Sequence, residues 1–216
     1  KWNSRLSKRT SFVVAIGGVS ARSNLGDALQ KVGIPVCPVP QLGNSLSPLR
    51  TFAAVRALLT LLREHKPNVL NAHSSVAGVV ARIAGRLSGT PVIYTVHGFG
   101  FKPEVPRLQR SVAWVAERAL ARMTDHMICV SNHERELARR LPIDPSRLSV
   151  IPNAIADIPY RARHRTPTRI VMVARFTPPK RPDLLLHALA LMRDRLGHEV
   201  PASLIGDGPD FEVNRK

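Results

Sequence analysis

Long apolar runs are missing from this chain of 216 residues. A membrane-spanning helix needs roughly 20 consecutive apolar residues. The most apolar helical pattern, TFAAVRALLTLL at 51–62, is too short and is interrupted by Arg56. Cysteine is scarce as well: Cys37 and Cys129 stand alone, each inside a predicted strand and without a second Cys or His at ligand spacing. That excludes a disulfide framework and a zinc cluster, and predicts two reduced core thiols in a cytosolic protein. No Asp-x-Asp metal pattern, no Gly-x-x-x-x-Gly-Lys-Ser/Thr phosphate loop and no Gly-x-Gly-x-x-Gly after a strand is present. An ATPase and a dinucleotide oxidoreductase are therefore disfavoured, and neither a metal nor a cofactor is expected. The sequence opens at Lys1, with no apolar signal region and no initiating methionine, which predicts a cytoplasmic protein with residues missing upstream.

Positive charge, by contrast, is abundant. The formal net charge is +17, from 32 Lys and Arg against 15 Asp and Glu. Such an excess suits nucleic acid, an anionic membrane surface or a phosphorylated ligand. The cations are dispersed rather than gathered into an arm, and aromatic residues make up only 5% of the chain. Neither the aromatic motif of single-strand RNA readers nor zinc-finger spacing occurs, so a nucleic-acid partner is not expected.

Apolar strand-like runs alternate with helical patterns along the chain. SFVVAI (11–16), IPVCPV (34–39), NVLNA (68–72), PVIYTV (91–96), HMICV (126–130) and LSVI (148–151) read as strands. IPVCPV is edge-like because Pro35 and Pro38 cannot donate to a ladder. Between the strands lie helical patterns: Leu25, Leu29 and Val32 ending at Gly33; a helix from Pro48, capped by Ser47, with a face of Leu49, Phe52, Val55, Leu59 and Leu62; Ser75 to Leu87; Val105 to Met123; and Glu134 to Leu141. Buried strands joined by helices predict an α/β fold with a Rossmann-like parallel sheet, whose ligands bind beyond the C-terminal strand ends. Residues 152–168 carry three prolines and a run of Arg and His, and read as a linker. RIVMVA, a helix opened by Pro182 and Asp183, and PASLIGDG then begin a second series of the same kind. The expected domains are 1–151, the linker 152–168, and the opening of a second Rossmann-like domain at 169–216, too small to fold alone with much stability.

The strand ends hold the candidate chemistry. NVLNA runs into His73, Ser74 and Ser75, with Gly78 in the first helical turn and Ser75 placed as a cap. PVIYTV runs into His97, Gly98 and Phe99, where an imidazole before a glycine suits hydrogen-bonding or acid–base work. LSVI is followed by Asn153, RIVMVA by Arg175 and Lys180, and the last strand by Gly206, Asp207 and Gly208. Arg175 and Lys180 lie in a short loop before a helix N-terminus, a place that favours anions.

Taken together and in order, NAHSSVAGVVARIAGRLSGTPVIYTVHGFGF, DHMICVSNHERELARRL, VIPNAI, VARFTPPKRPDLLLHAL and LIGDGP resemble a family 4 glycosyltransferase of the GT-B fold, of the bacterial polysaccharide or lipopolysaccharide type. The resemblance spans about residues 11 to 210 and implies retaining, metal-independent transfer from a nucleotide diphosphate sugar to a glycan or lipid-linked acceptor. It implies that Arg175 and Lys180 contact the donor diphosphate, that His97 stands near the donor sugar, and that His73, Ser74, Ser75, Gly78, Gly98 and Phe99 line the acceptor side. It also implies that Asn153, Gly206, Asp207 and Gly208 belong to the interdomain cleft. The net charge of +17 and the arginines of the 105–123 helix (Arg107, Arg110, Arg118 and Arg122) predict peripheral association with an anionic membrane, the inner face of the plasma membrane. Two glutamates eight positions apart are expected in the second domain, and no such pair occurs here, so the chain alone is expected to be inactive. Where that family commonly has glycine after the lysine, this chain has Arg181, a third cation at a tight turn. A sugar-nucleotide epimerase of related fold and a non-enzymatic basic nucleic-acid module are the alternative readings.

Overall fold

The structure, a computed structural model, describes residues 10–17, 24–43, 47–103, 105–155, 157, 169–177 and 180–212. Residues 158–168 of the linker reading and Pro178 and Pro179 of the cation loop lie outside these. The chain divides into two compact units, Lys1–Ala154 and Ile155–Lys216.

In the first unit, β1 (Val14–Gly17), α1 (Asn24–Lys31) and β2 (Val36–Val39) precede α2 (Pro48–His65), β3 (Leu70–His73), α3 (Ser75–Ser88) and β4 (Val92–Val96). There follow α4 (Arg107–Ala121), β5 (His126–Cys129), α5 (Asn132–Ala138) and β6 (Leu148–Val150). Every pairing is parallel, in a two-stranded sheet β1-β2 and a four-stranded sheet β3-β4-β5-β6. The strand-and-helix alternation predicts this, since parallel neighbours require a crossover between them. Sequence and structure differ mainly at element ends. β1 begins at Val14 rather than residue 11, and β3 is displaced toward its C-terminus so that His73 is its last residue.

The core gathers around β4, where Val92, Tyr94 and Val96 are buried against Met127 and Cys129 of β5 and Val80, Ala81 and Ala84 of α3. β4 is covered on both sides, as a central parallel strand must be. The expected apolar face of α2 is only half covered. Ala54, Val55, Leu58 and Leu62 are buried, whereas Leu49 and Phe52 are exposed. Leu25 and Val32 of α1 are exposed too. Ser47 sits at the N-cap of α2 without making the expected side-chain cap bond. Both cysteines are free; Cys129 is in the core, but Cys37 is only half-buried, with Sγ 3.6 Å from Nε2 of His65.

One buried charge ties this unit together. Arg82 of α3 is fully buried, and its guanidinium makes two bonds to Glu117 of α4, at 2.7 and 3.1 Å. Its Nε donates to the Gly78 carbonyl at 2.8 Å, and its plane lies 4.2 Å from the centre of the Tyr94 ring. Gly78 is needed here for its lack of a side chain: a Cβ would fall 2.4 Å from Tyr94. Burial, and then the Glu117 carboxylate, push the Tyr94 phenol up to about 12, so it stays neutral.

The second unit consists of β7 (Ile170–Val173), α6 (Pro182–Leu196) and β8 (Ala202–Ile205), with β7 and β8 parallel. Among its described residues only Phe176 and Pro182 are buried, while Leu184, Leu186, Leu191 and Leu196 of α6 are exposed.

The buried ion pair sets a stability prediction. Glu117→Ala leaves the Arg82 charge uncompensated in the interior and should cost about 3–5 kcal/mol. Denaturant unfolding of the chain measures this, and a loss below about 1 kcal/mol, the range of an exposed pair, would contradict the clamp.

Candidate functional site

At the C-terminal ends of β3 and β4 two imidazoles meet. The parallel register sets His73 opposite Thr95, so His97, two residues further on, projects from the same face. Nδ1 of His73 and Nε2 of His97 are 3.1 Å apart, and both side chains are exposed. One step back along the strands the Thr95 hydroxyl donates to Oδ1 of Asn71, also at 3.1 Å. Partial desolvation by the surrounding protein, and then the His97 charge, hold His73 below the usual imidazole range.

Ser74 turns β3 into α3 with φ 75, a backbone region that non-glycine residues rarely occupy. It is Ser74, not Ser75, that caps the helix, its Oγ accepting from the Ala77 amide at 3.4 Å. Ser75 is the first helical residue and is exposed. Ser74 and Ser75 are therefore exposed beside His73 at the start of α3. Gly78 and Phe99 do not line an open surface. Gly78 is buried under Tyr94, and Phe99 is in the core, stacked on Phe101 with ring centres 4.6 Å apart. Phe101 in turn meets Trp114 edge-on, which pins the loop after His97 to α4.

The sequence reading missed the ionic half of that anchor. Lys102 pairs with Glu134 of α5, whose carboxylate is buried and whose Oε2 has no hydrogen-bond partner among the described residues. The signal was available in part: Ser131 and Glu134 have capping-box spacing, and the Ser131 hydroxyl accepts from the Glu134 amide at 3.2 Å. The Glu134 side chain, however, turns to Lys102 instead of back to the cap. Gly98 stands beside this pair, with room for a Cβ 3.8 Å from the Lys102 amine. Asn153, beyond β6, is exposed.

In the second unit the Gly206–Gly208 turn lies directly on the end of β7. The Phe176 amide donates to the Asp207 carbonyl at 2.9 Å, and the Ala174 amide to the Ile205 carbonyl at 3.1 Å. A Cβ on Gly206 would fall 1.8 Å from the Ala174 carbonyl oxygen, and one on Gly208 2.3 Å from that of Phe176, so only glycine permits the approach. Arg175, Gly206, Asp207 and Gly208 consequently line one cavity of about 440 Å³, together with Val173, Ala174 and Ile205. Within the second unit the structure thus joins Gly206, Asp207 and Gly208 to Arg175. Lys180 is exposed and does not line that cavity. In the first unit a cavity of about 480 Å³ lies between the C-terminal ends of α2 and α3, and none of the candidate residues lines it.

Arg181 answers the question that its place in the turn raises. It adopts φ 49, the left-handed conformation that glycine accepts without strain. Its charge is not free, because the guanidinium binds Asp183 through Nε at 2.9 Å to one oxygen and through Nη2 at 2.6 Å to the other. The hydrogen bond from Arg181 holds the Asp183 carboxyl below its usual range. Arg175 and Lys180, by contrast, are exposed, with no ion pair among the described residues.

The sequence pattern of the glycosyl transferase 4-like domain family matches residues 9–154. The chain belongs to this family. It is 35% identical over 119 residues to a UDP-Gal:alpha-D-GlcNAc-diphosphoundecaprenol alpha-1,3-galactosyltransferase of Escherichia coli, covering 54% of this chain and 31% of that protein. To the O-antigen biosynthesis glycosyltransferase WbnH of Escherichia coli it is 29% identical over 166 residues, 76% of this chain and 47% of the other. The chain therefore spans less than half the length of these relatives. Anabaena HepE, solved with UDP and glucose, superposes with a TM-score of 0.62 over 91% of this chain and 62% of that one, at 18% identity. At that identity the likeness concerns the fold, which is α/β and of GT-B type with Rossmann-like parallel sheets.

The Arg181 geometry yields a test. In Arg181→Gly the loss of the exposed ion pair is offset by relief of the left-handed strain, so the unfolding temperature should change little, while the Asp183 carboxyl should titrate at higher pH than in the parent. Because Arg181 lowers the Asp183 value, its contribution to stability is present at neutral pH and is lost as pH falls through that lowered value. Carboxyl-carbon NMR follows the titration, and an unchanged Asp183 curve would show that the pair does not form in solution.

Proposed function

We propose that the chain is the acceptor-side domain (1–151) and the opening of the donor-side domain (169–216) of a retaining, metal-independent glycosyltransferase. Its donor is a nucleotide diphosphate sugar, and its acceptor a glycan or lipid-linked glycan in cell-surface polysaccharide synthesis. The observation that carries this reading is the joining of Arg175 to the Gly206–Gly208 turn around one cavity at the ends of β7 and β8. That is where a parallel α/β sheet takes its ligand. The first unit of the same chain belongs to a glycosyl transferase family.

In the transfer, the bond from the anomeric carbon to the diphosphate oxygen breaks and a bond to an acceptor hydroxyl oxygen forms. The hydroxyl proton leaves with the phosphate. Negative charge grows on the leaving diphosphate, so cations already in place lower the barrier without reorganising. Arg175 offers a planar fork for two phosphate oxygens and Lys180 a point charge. His97 serves the transferred sugar, and the α3 opening at Ser74 and Ser75 serves the acceptor.

The place of work is the inner face of the plasma membrane. Leu108, Val112 and Val115 form an exposed stripe at helical spacing on α4, flanked by exposed Arg107, Arg118 and Arg122. Apolar side chains beside cations suit a helix lying in an anionic bilayer surface, where each basic residue contributes roughly 1 kcal/mol. No helix among the described residues is long and apolar enough to cross a membrane. The chain should float with anionic vesicles at low salt and be released at high salt. Equal partitioning onto neutral vesicles would contradict the docking.

In an active preparation, Arg175→Ala and Lys180→Ala should each weaken transfer at least about tenfold, since a charge-assisted hydrogen bond is worth about 1.5–3 kcal/mol. His97→Ala should lower turnover while leaving thermal unfolding unchanged. Steady-state kinetics with the donor varied checks all three, and parental values for both cation variants would place the diphosphate elsewhere.

A further inference from the structure

We propose that Lys102 and Glu134 are positioning residues for His97, and that their ion pair serves the placement of that imidazole rather than the stability of the fold. The first unit buries two carboxylates, and they are answered differently. Both oxygens of Glu117 are bonded by Arg82, whose Nε is bonded to the Gly78 carbonyl as well. Glu134 is buried more deeply still, yet only its Oε1 is bonded, by the Lys102 amine. Its Oε2 is closed off from solvent and has no hydrogen-bond partner among the described residues. A buried carboxylate answered on one oxygen costs stability, because the other oxygen has lost its water without gaining a donor. Apolar side chains of similar volume would fill the same space without that cost. Stability therefore does not account for this pair, and the reason lies in what it holds.

It holds the segment that leaves β4. The chain bends at His97, directly after Val96, the last residue of the strand. The course of the next residues sets the backbone angles of His97, and with them the direction of its side chain. Phe99 and Phe101 bury the apolar side of this segment, but Gly98, between His97 and Phe99, has no side chain to pack. The Lys102 side chain turns back to supply the missing contact. Its amine lies 3.8 Å from the point where a Cβ on Gly98 would stand, and chain neighbours aside no other described group comes within 4 Å of that point. Glu134, on the helix that follows the neighbouring strand β5, keeps the amine there. The Lys102–Glu134 pair thus braces the residue next to His97 against α5. Without the brace the Gly98 backbone is free to turn, and His97 with it. The contact that reports the placement is the one to His73, with Nδ1 and Nε2 3.1 Å apart.

The inference rests on the transfer reading only for its effect on turnover. There His97 serves the transferred sugar, and a ring that swings would meet the sugar in only part of the population.

The double variant Lys102→Met/Glu134→Leu tests this, since it removes both charges and leaves apolar groups of similar volume. Its denaturant midpoint should equal or exceed that of the parent, while the nuclear Overhauser contact between the His73 and His97 rings, present in the parent, should be lost. Lys102→Arg, whose guanidinium can bind the same carboxylate, should keep the contact. A ring contact that persists in the double variant overturns the proposal, as does its absence from the parent or from Lys102→Arg. A lowered midpoint in the double variant overturns it too, because the pair would then be a stabilising one. In an active preparation the double variant should turn over about tenfold more slowly with the donor KM little changed, and parental turnover would contradict the role. Absence of transfer by the parent would count against the functional reading alone, since the ring contact is read in the chain itself.

Discussion

The Arg82 guanidinium is the contact on which the first unit's geometry depends. It is sealed from solvent, so its charge is tolerable only because Glu117 answers it with two hydrogen bonds. The same group holds the Gly78 carbonyl and stacks on Tyr94. One side chain therefore fixes the first turn of α3, the middle of β4 and the middle of α4 against one another. His73 and Ser74 lead into that turn, and His97 leaves that strand. The exposed groups at the strand ends inherit their placement from a buried ion pair that touches none of them.

A second anchor works on the loop that follows His97. Phe99 and Phe101 drive its apolar side into the core against Trp114, while Lys102 reaches Glu134 on α5. A glycine-containing segment that would otherwise wander is held at two points on either side of Gly100. The second unit reaches a comparable result by different means. Two glycines let the 206–208 turn lie on the end of β7, and backbone hydrogen bonds, not side chains, keep Arg175 beside it.

Much of this was legible in the sequence because the fold follows from period. Apolar runs of strand length separated by helical patterns leave few arrangements other than a parallel sheet, and Pro48 and Pro182 mark helix starts where the structure has them. The faces were less legible. Leu49 and Phe52 belong to the apolar stripe of α2, yet a stripe records which residues could be covered and not which neighbour covers them. Arg82 shows the converse: within VARIAGRL it reads as the polar side of a helix, and only the tertiary position of Glu117, 35 residues on, makes its burial possible. The candidate residues at strand ends were found because parallel sheets present chemistry there. Gly78 and Phe99, chosen by the same rule, proved to be packing residues, since a short segment near a strand end contains both kinds. The His73–His97 pair needed the register, which places residues 24 apart within one hydrogen bond.

The central claim is metal-independent transfer of a sugar from a nucleotide diphosphate donor with its configuration kept. Proton NMR of the product that an active preparation makes from an α-linked donor and a lipid-linked glycan acceptor in the presence of a chelator tests it most directly. The account predicts an α-linked product formed at an undiminished rate. A β-linked product, or transfer abolished by the chelator, would contradict it.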